Sequence, residues 1–320
     1  MQSATTGIRF SKLSGAIGNY QGVTPEEEKE VLKSIGLEPF VGASQIIPRI
    51  VHQPLANALV MIVGALTQIA EDVRIAARSG MPIMQEFFDK GQMGSSAMPH
   101  KKNTITCENQ IGMWRMAKGF ADMLRDCILT WEERAIEQSS VERVAWPDLF
   151  HVVMQSFKNM TRILEKLQVF PDNMMLEIYY SHGCYASEDA KELLKEFGLI
   201  DDAYKIVQLA AAIVHEPCKV LKDYRLAKKD GEEEHKYPMI EEANMLGRCH
   251  KDLCQTICEV IYTGALYPIE ALGHSQETVD EWNRKLQNIF ADPEKLERWH
   301  NIFSIAYQLR NEDFIFNTYK

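Results

Sequence analysis

The protein has 320 residues, of which 46% are hydrophobic and 25% charged, the composition of a globular chain long enough for two domains. A net charge of −10 excludes a surface built as a whole to bind nucleic-acid phosphates. No apolar run approaches the roughly 18 residues of a membrane span, and the N-terminal sequence has no apolar signal core. Seven scattered cysteines without a CxxC pair indicate reduced thiols, so we expect a cytoplasmic protein. From the net charge and the lack of a membrane span, we expect neither nucleic-acid nor membrane partners.

Three long helices are predicted from apolar residues that recur at spacings of three and four. The first covers residues 54–79 and is apolar on nearly every side, as a helix inside a bundle is. The second covers residues 104–129, and the third covers residues 147–169, beginning after Pro147. Because no alternating strand pattern separates them, we expect an all-α fold with an elongated central helical bundle.

A domain boundary is predicted near Pro171, which interrupts the helical pattern and is followed by shorter helices. We therefore expect a bundle domain at 1–172 and a smaller helical C-terminal domain at 173–320.

One face of a predicted helix in the second domain carries His250, Cys254 and Cys258 at intervals of four residues. This spacing is compatible with a metal site. A helix face with partly buried thiols is favoured, because the sequence shows no second cluster of metal ligands. We expect neither a metal nor another cofactor.

The segment GQMGSSAMPHKKN, residues 91–103, combines small residues, hydroxyls, an imidazole and two ammonium groups. A hydroxyl such as that of Ser95 acts as a base or nucleophile only if its proton affinity is lowered. Lys101, Lys102 and the N-terminus of the following helix can lower it and can also hold a carboxylate or phosphate. The segment therefore reads as an anion-holding loop with a reactive hydroxyl; the alternative is a flexible surface loop with incidental lysines.

The sequence GSSAMPHKKN closely resembles the GSSxMPxKxNP signature of the fumarase/aspartase superfamily of lyases, and Ala97 and His100 most resemble its adenylosuccinate lyase branch. The segments SKLSGAIGNYQG, ASQIIPR, WEERAIEQSSVER and SHGCYASEDAKELLKEFGLIDDAYKIVQ resemble further parts of that branch, so the resemblance spans most of residues 7–215. Thr104 stands where the signature has Pro, a substitution that we expect to be tolerated.

The resemblance implies a β-elimination that releases fumarate from adenylosuccinate or from the succinyl-carboxamide purine intermediate, by a homotetramer. It implies that Ser95 is the base, that Lys101 holds a fumaryl carboxylate and that Glu108 orients an active-site His. It further implies substrate binding by a set of residues that contact the carboxylates, the phosphate and nearby groups: Gln45, Ser96, Met98, Asn103, Arg134, Ser139 and Arg143.

The superfamily's general acid is a His on a segment that precedes the region matched here. His52 lies after Gln45, at the entry to a helix, and does not correspond to it. We therefore expect an N-terminally truncated chain that is inactive alone. Alternative functions are another lyase or cycloisomerase of the superfamily, acting on argininosuccinate or carboxymuconate, and a non-catalytic assembly protein.

Overall fold

The computed structural model describes residues 4–98, 100–132, 136–215, 252–259 and 273–318. Within these ranges the chain is mostly helical, and its strands are four two-residue segments. Phe10–Ser11 (β1) pairs in parallel with Glu38–Pro39 (β2), and Met84–Gln85 (β3) pairs antiparallel with Gln168–Val169 (β4). The predicted all-α fold class is confirmed.

The chain divides into two compact units, Met1–Asn173 and Met174–Lys320. The first unit contains Pro25–Ser34 (α1), Gln53–Ala76 (α2), Ile105–Asp126 (α3) and Glu137–Glu165 (α4), and Pro171–Tyr180 (α5) crosses from the first unit into the second. Independent folding of the predicted domains 1–172 and 173–320 stays a prediction.

Helices α2, α3 and α4 form a three-helix bundle in which successive helices run in opposite directions. At one end the Gln53 side chain donates a hydrogen bond to the Leu124 carbonyl over 2.8 Å. Nearer the other end, the Gln110 side chain donates to the Thr67 hydroxyl over 3.2 Å. We call these the Gln53 end and the Ala76 end, after the first and last residues of α2. The core between them contains apolar side chains from all three helices: Leu55, Leu59, Val63, Ala117, Leu124, Leu149, Val152 and Val153.

Helix α4 begins at Glu137, ten residues before Pro147, so the predicted start after Pro147 is wrong. A proline inside a helix removes one hydrogen bond and usually kinks or ends the helix. Here Pro147 is exposed, while Ala145 and Leu149 on either side are completely buried in the bundle core. The packing of those neighbours carries the helix through the proline.

The helical stretch Arg49–Ala76 is long and apolar enough, by composition, to cross a membrane. The expectation that no segment approaches this length is therefore wrong. The stretch nevertheless packs against α3 and α4 through Leu59 and Val63, as the core helix of a bundle does.

The second unit contains a run of helices with their own apolar core. Its helices are Ser187–Glu196 (α6), Ala203–His215 (α7), Leu253–Glu259 (α8), Gln276–Phe290 (α9), Pro293–Ile302 (α10), Ile305–Gln308 (α11) and Glu312–Asn317 (α12). Buried core side chains include Leu194, Ile206, Leu253, Trp282 and Trp299.

The predicted thiol face is only partly described. His250 lies outside the described residues, Cys254 is buried, and Cys258 is half-buried. The Cys254 Sγ atom lies 3.4 Å from His300 Nδ1. In the part of the chain that the structure describes, no group of three or more His, Cys, Asp and Glu side chains is arranged to hold a metal.

Candidate active site

The loop at 91–103 folds back on itself, which brings several predicted site residues together. The Ser95 hydroxyl accepts a hydrogen bond from the Met98 amide over 3.2 Å, and the Lys101 amide donates to the Met98 carbonyl over 3.0 Å. A Cβ atom at Gly94 would lie 2.3 Å from the Lys101 carbonyl oxygen, so only glycine permits this crossing. The loop thus places the Ser95 hydroxyl close to the backbone that carries Lys101.

The base of the loop has an aromatic and charged lining. The Lys102 ammonium lies 5.8 Å from the centre of the Phe88 ring, within the range of a cation–π contact. Ser95, Lys101 and Asn103 are half-buried, whereas Ser96 and Met98 are exposed.

The amides at the start of α3 are already bonded within the chain, contrary to the expectation that they hold a ligand's anion. The Thr106 and Cys107 amides donate to the Glu86 carboxylate over 3.1 and 2.6 Å. The Ile105 amide donates to the Asn103 carbonyl over 2.9 Å. The positive end of this helix is therefore matched by a protein carboxylate, and a ligand anion would depend on side chains.

Glu108 lies in the first turn of α3, at the same end of the bundle as the loop. Its carboxylate is 3.7 Å from the Arg74 guanidinium near the end of α2, and both side chains are about half exposed. An exposed pair at this distance contributes little stability, so the Glu108 carboxylate can exchange this partner for a group of a ligand or another chain.

Gln45 lies near the Gln53 end, in a segment bound by the half-buried ammonium group of Lys12. The Lys12 ammonium donates to the carbonyls of Ser44 at 2.5 Å, Gln45 at 3.0 Å and Gly15 at 2.5 Å. A Cβ atom at Gly18 would lie 2.1 Å from the Ala43 carbonyl oxygen, so the backbone at Gly18 packs directly against this segment. The backbone at Gln45 is thus held without regular secondary structure.

The loop that carries Lys12 is itself held by a buried carboxylate. Glu28 is 1% exposed and accepts hydrogen bonds from the Leu13 amide over 2.5 Å and from the Tyr20 hydroxyl over 2.8 Å. Tyr20 adopts a φ of 59°, a left-handed conformation that is uncommon for a bulky side chain. These bonds keep Tyr20 in that conformation and close the loop.

Ser139 and Arg143 also lie at the Gln53 end, one turn apart on α4. The Arg143 guanidinium donates to the Ser139 carbonyl over 2.9 Å and to its hydroxyl over 3.0 Å. The Arg143 side chain is exposed, so its remaining donors face outward toward solvent or a ligand. Arg134, the third predicted phosphate ligand, lies outside the described residues.

An ion pair joins the Gln45 segment to α4 beside Arg143. Arg49 Nε lies 2.6 Å from Glu142 Oε1, and each side chain is 18% exposed. The Arg49 Nε–H is not aligned for a hydrogen bond, so the contact is an ion pair. His52 stacks edge-on against Trp146 nearby, and burial, with the Arg49 charge, lowers the pKa of His52.

The predicted site residues therefore form two clusters at opposite ends of the bundle. Gln45, Ser139 and Arg143 lie at the Gln53 end, and the loop with Ser95 lies at the Ala76 end beside Glu108. Helix α3 spans the bundle with 22 residues, a length of about 33 Å. One copy of the chain therefore cannot bring both clusters to the same small molecule.

The positioning residues Lys12, Glu28 and Glu86 were not found from the sequence. Lys12 and Glu86 lie in or beside loops and Glu28 lies in the charged first turn of α1, and charges at such positions normally indicate a solvated surface. Glu86 directly follows β3, but nothing in the spacing of the sequence indicates that its side chain is buried.

Comparison with known proteins adds to this geometry. A family model described as a lyase matches residues 1–119. Curated adenylosuccinate lyases are 36% identical over 209 residues in Thermotoga maritima and 37% identical over 221 residues in Aquifex aeolicus. The chain is similar to curated adenylosuccinate lyases over about two thirds of its own length. The predicted resemblance is thus confirmed.

The matched regions make up 65% and 69% of this chain but 48% and 51% of the two adenylosuccinate lyases. The chain thus spans about half the length of the curated relatives that it matches.

Solved structures of two other enzymes share the fold. The 3-carboxy-cis,cis-muconate lactonizing enzyme of Pseudomonas putida is 16% identical with a TM-score of 0.56, covering 91% of this chain and 60% of the enzyme. A fumarate lyase of Mesorhizobium sp. BNC1 is 17% identical with a TM-score of 0.57, covering 94% of this chain and 58% of the lyase. At these identities the likeness establishes the fold and not the substrate.

Proposed function

We propose that this chain supplies the greater part of an adenylosuccinate lyase active site, acting in purine nucleotide biosynthesis. The loop 91–103 carries the proposal, because it holds Ser95 close to the Lys101 backbone in a chain 34–37% identical to curated adenylosuccinate lyases. The proposed enzyme is cytoplasmic, uses no metal or other cofactor, and binds neither nucleic acid nor membrane.

In the proposed reaction, the Ser95 oxygen takes a proton from the carbon next to one succinyl carboxylate. The electron pair moves to form the carbon–carbon double bond of fumarate, and the bond from the other carbon to nitrogen breaks. The leaving nitrogen takes a proton from an acid, which completes the balance. Lys101 and Asn103, with Ser96 and Met98 beside them, bind the carboxylates and stabilise the charge that develops on them.

The purine nucleotide is assigned to the Gln53 end. Arg143 presents guanidinium donors to a phosphate, Ser139 supports that side chain, and Gln45 contacts the substrate, with Arg134 as a further phosphate ligand. Since this end is about 33 Å from Ser95, we infer that each active site combines opposite ends of different copies in a homotetramer. Glu108 would orient a His at the loop's end of that combined site.

Apolar residues exposed on the bundle support this assembly. Met61 on α2, Met123 on α3, and Met154 and Phe157 on α4 are between 46% and 72% exposed. Exposed apolar side chains of this kind on a bundle are covered when copies pack side by side.

The two-copy site can be tested by mixing inactive variants. Ser95→Ala and Arg143→Ala are prepared separately, each with the part of the Thermotoga maritima relative that this chain does not match. Each should lose turnover of adenylosuccinate by at least about 100-fold. Mixed and reassembled in equal amounts, they should recover up to about a quarter of wild-type turnover, since random pairing leaves that share of sites intact. Mixtures that stay inactive although both variants assemble into mixed tetramers would contradict the shared site.

The alternative superfamily reactions and the non-catalytic reading are not favoured by the curated relatives. A thermal-shift experiment on the 320-residue chain with AMP, argininosuccinate and fumarate distinguishes these functions. AMP should raise Tm, and Arg143→Ala should abolish that shift. Arg125→Ala is the matched control, because Arg125 is exposed and paired with Asp122. A shift with argininosuccinate alone would overturn the purine assignment.

A further inference from the structure

Glu86 is a buried carboxylate that binds the start of a helix 20 residues further along the chain. It follows β3, is 4% exposed, and binds the amides of Thr106 and Cys107 over 3.1 and 2.6 Å. These are the second and third residues of α3, where backbone amides have no partner inside the helix. A carboxylate there gains both charge-assisted hydrogen bonds and the favourable end of the helix dipole.

The Thr104 side chain, at the capping position of α3, makes no capping hydrogen bond. Glu86 therefore does the work that a local Ser, Thr or Asp usually does at a helix N-terminus. Because it comes from the far side of the loop, it also joins the residue before the loop to the helix after it.

The chain between these two points contains the whole of the loop 91–103. Within the loop, Gly94 packs against the Lys101 carbonyl, four residues before α3 begins at Ile105. Holding both ends of a loop with one side chain removes much of the conformational freedom that its residues would otherwise have. The position of Ser95 relative to Lys101 and Asn103 then depends on Glu86.

We propose that Glu86 is a positioning residue for the catalytic loop, acting through the first-turn amides of α3 and not by contact with the substrate. The inference rests on the proposed function of that loop. It assigns Glu86 to the chemical step and not to nucleotide binding, because Gln45, Ser139 and Arg143 lie at the opposite end of the bundle.

The test compares Glu86→Ala and Glu86→Gln with Asp89→Asn. Asp89 is the matched control: it lies three residues further along the same segment and pairs with Arg162 and Lys166, not with α3. Glutamine keeps one acceptor oxygen but loses the charge, so its effects should be intermediate.

Hydrogen exchange on the 320-residue chain is the first readout. Exchange of peptides containing Thr106 and Cys107 should accelerate about tenfold in Glu86→Ala, less in Glu86→Gln and not at all in Asp89→Asn. Peptides around Leu124, at the other end of α3, should be unchanged. Unchanged exchange at Thr106 and Cys107, or equal acceleration along all of α3, would overturn the proposal.

Turnover is the second readout, measured with the chain assembled as above. Glu86→Ala should lower kcat about 10- to 100-fold and leave KM for adenylosuccinate within about twofold, since small misplacements of reacting groups are costly. A raised KM with unchanged kcat would contradict the assigned role. If the wild-type assembly neither binds AMP nor turns over, the proposed function fails, and the exchange experiment still decides whether Glu86 holds the loop.

Discussion

Replacing Lys12 with Met tests how the Gln45 segment is held. Met has a similar length but no donors, so the carbonyls of Gly15, Ser44 and Gln45 lose one shared cation. A hydrogen bond to a charged group contributes about 1.5–3 kcal/mol to stability. The contributions of three hydrogen bonds from one partly exposed ammonium group are not additive. We therefore expect a loss of about 2–4 kcal/mol in the free energy of unfolding, measured by urea titration.

A double-mutant cycle with Gln45→Ala separates the effect of Lys12→Met on AMP binding from its effect on stability. If Lys12 acts through Gln45, Lys12→Met should weaken AMP binding about tenfold, roughly as Gln45→Ala does, and the double variant should bind no more weakly than Gln45→Ala. Lys12→Arg, which keeps the charge, should recover part of the affinity. Isothermal titration on folded protein measures each constant. Fully additive effects on affinity would refute the reasoning.

Three further changes have expected outcomes at the same end of the bundle. Arg49→Met leaves Glu142 mostly buried without its cation, and should cost about 2–3 kcal/mol in urea unfolding, with less lost when Glu142→Gln is added. The pKa of His52 is lowered on folding, so the unfolded chain binds more protons and stability falls as pH drops below about 6.5; His52→Gln should flatten that dependence between pH 7.5 and 5. Pro147→Ala restores a backbone amide donor to α4 and should raise the free energy of unfolding, measured by urea titration, by about 1–2 kcal/mol.

The three bundle helices were predictable because their apolar positions repeat over many turns. Leu55, Leu59 and Val63 all lie in the core, as a spacing of four residues on one helix face requires. The start of α4 was not predictable, because local preference at Pro147 opposes the helix and only burial of Ala145 and Leu149 overrides it. Helix propensity is a weak prior where tertiary packing is this complete.

The loop 91–103, proposed as catalytic, could be recognised from its own residues, whereas the separation of the predicted site residues between two ends of the bundle could not. Sequence order places Gln45 some fifty residues before Ser95 and gives no distance between them. The separation follows from α2, which carries the chain from one end of the bundle to the other. It becomes visible only when the directions of the helices are known.

In both clusters a charged side chain, half-buried in Lys12 and buried in Glu86, binds backbone groups next to a predicted site residue. Lys12 binds carbonyls beside Gln45, and Glu86 binds amides beside Asn103. The segments at Gln45 and Asn103 lack the repeating hydrogen bonds of a helix, so a charge with several partners fixes them instead. Since the two charged side chains lie about 30 Å apart and share no partner, their effects should be additive. A chain with both Lys12→Met and Glu86→Ala should show the affinity of the first variant and the kcat of the second; coupling above about 0.5 kcal/mol would mean that the two segments influence each other, either along the bundle or across the shared site.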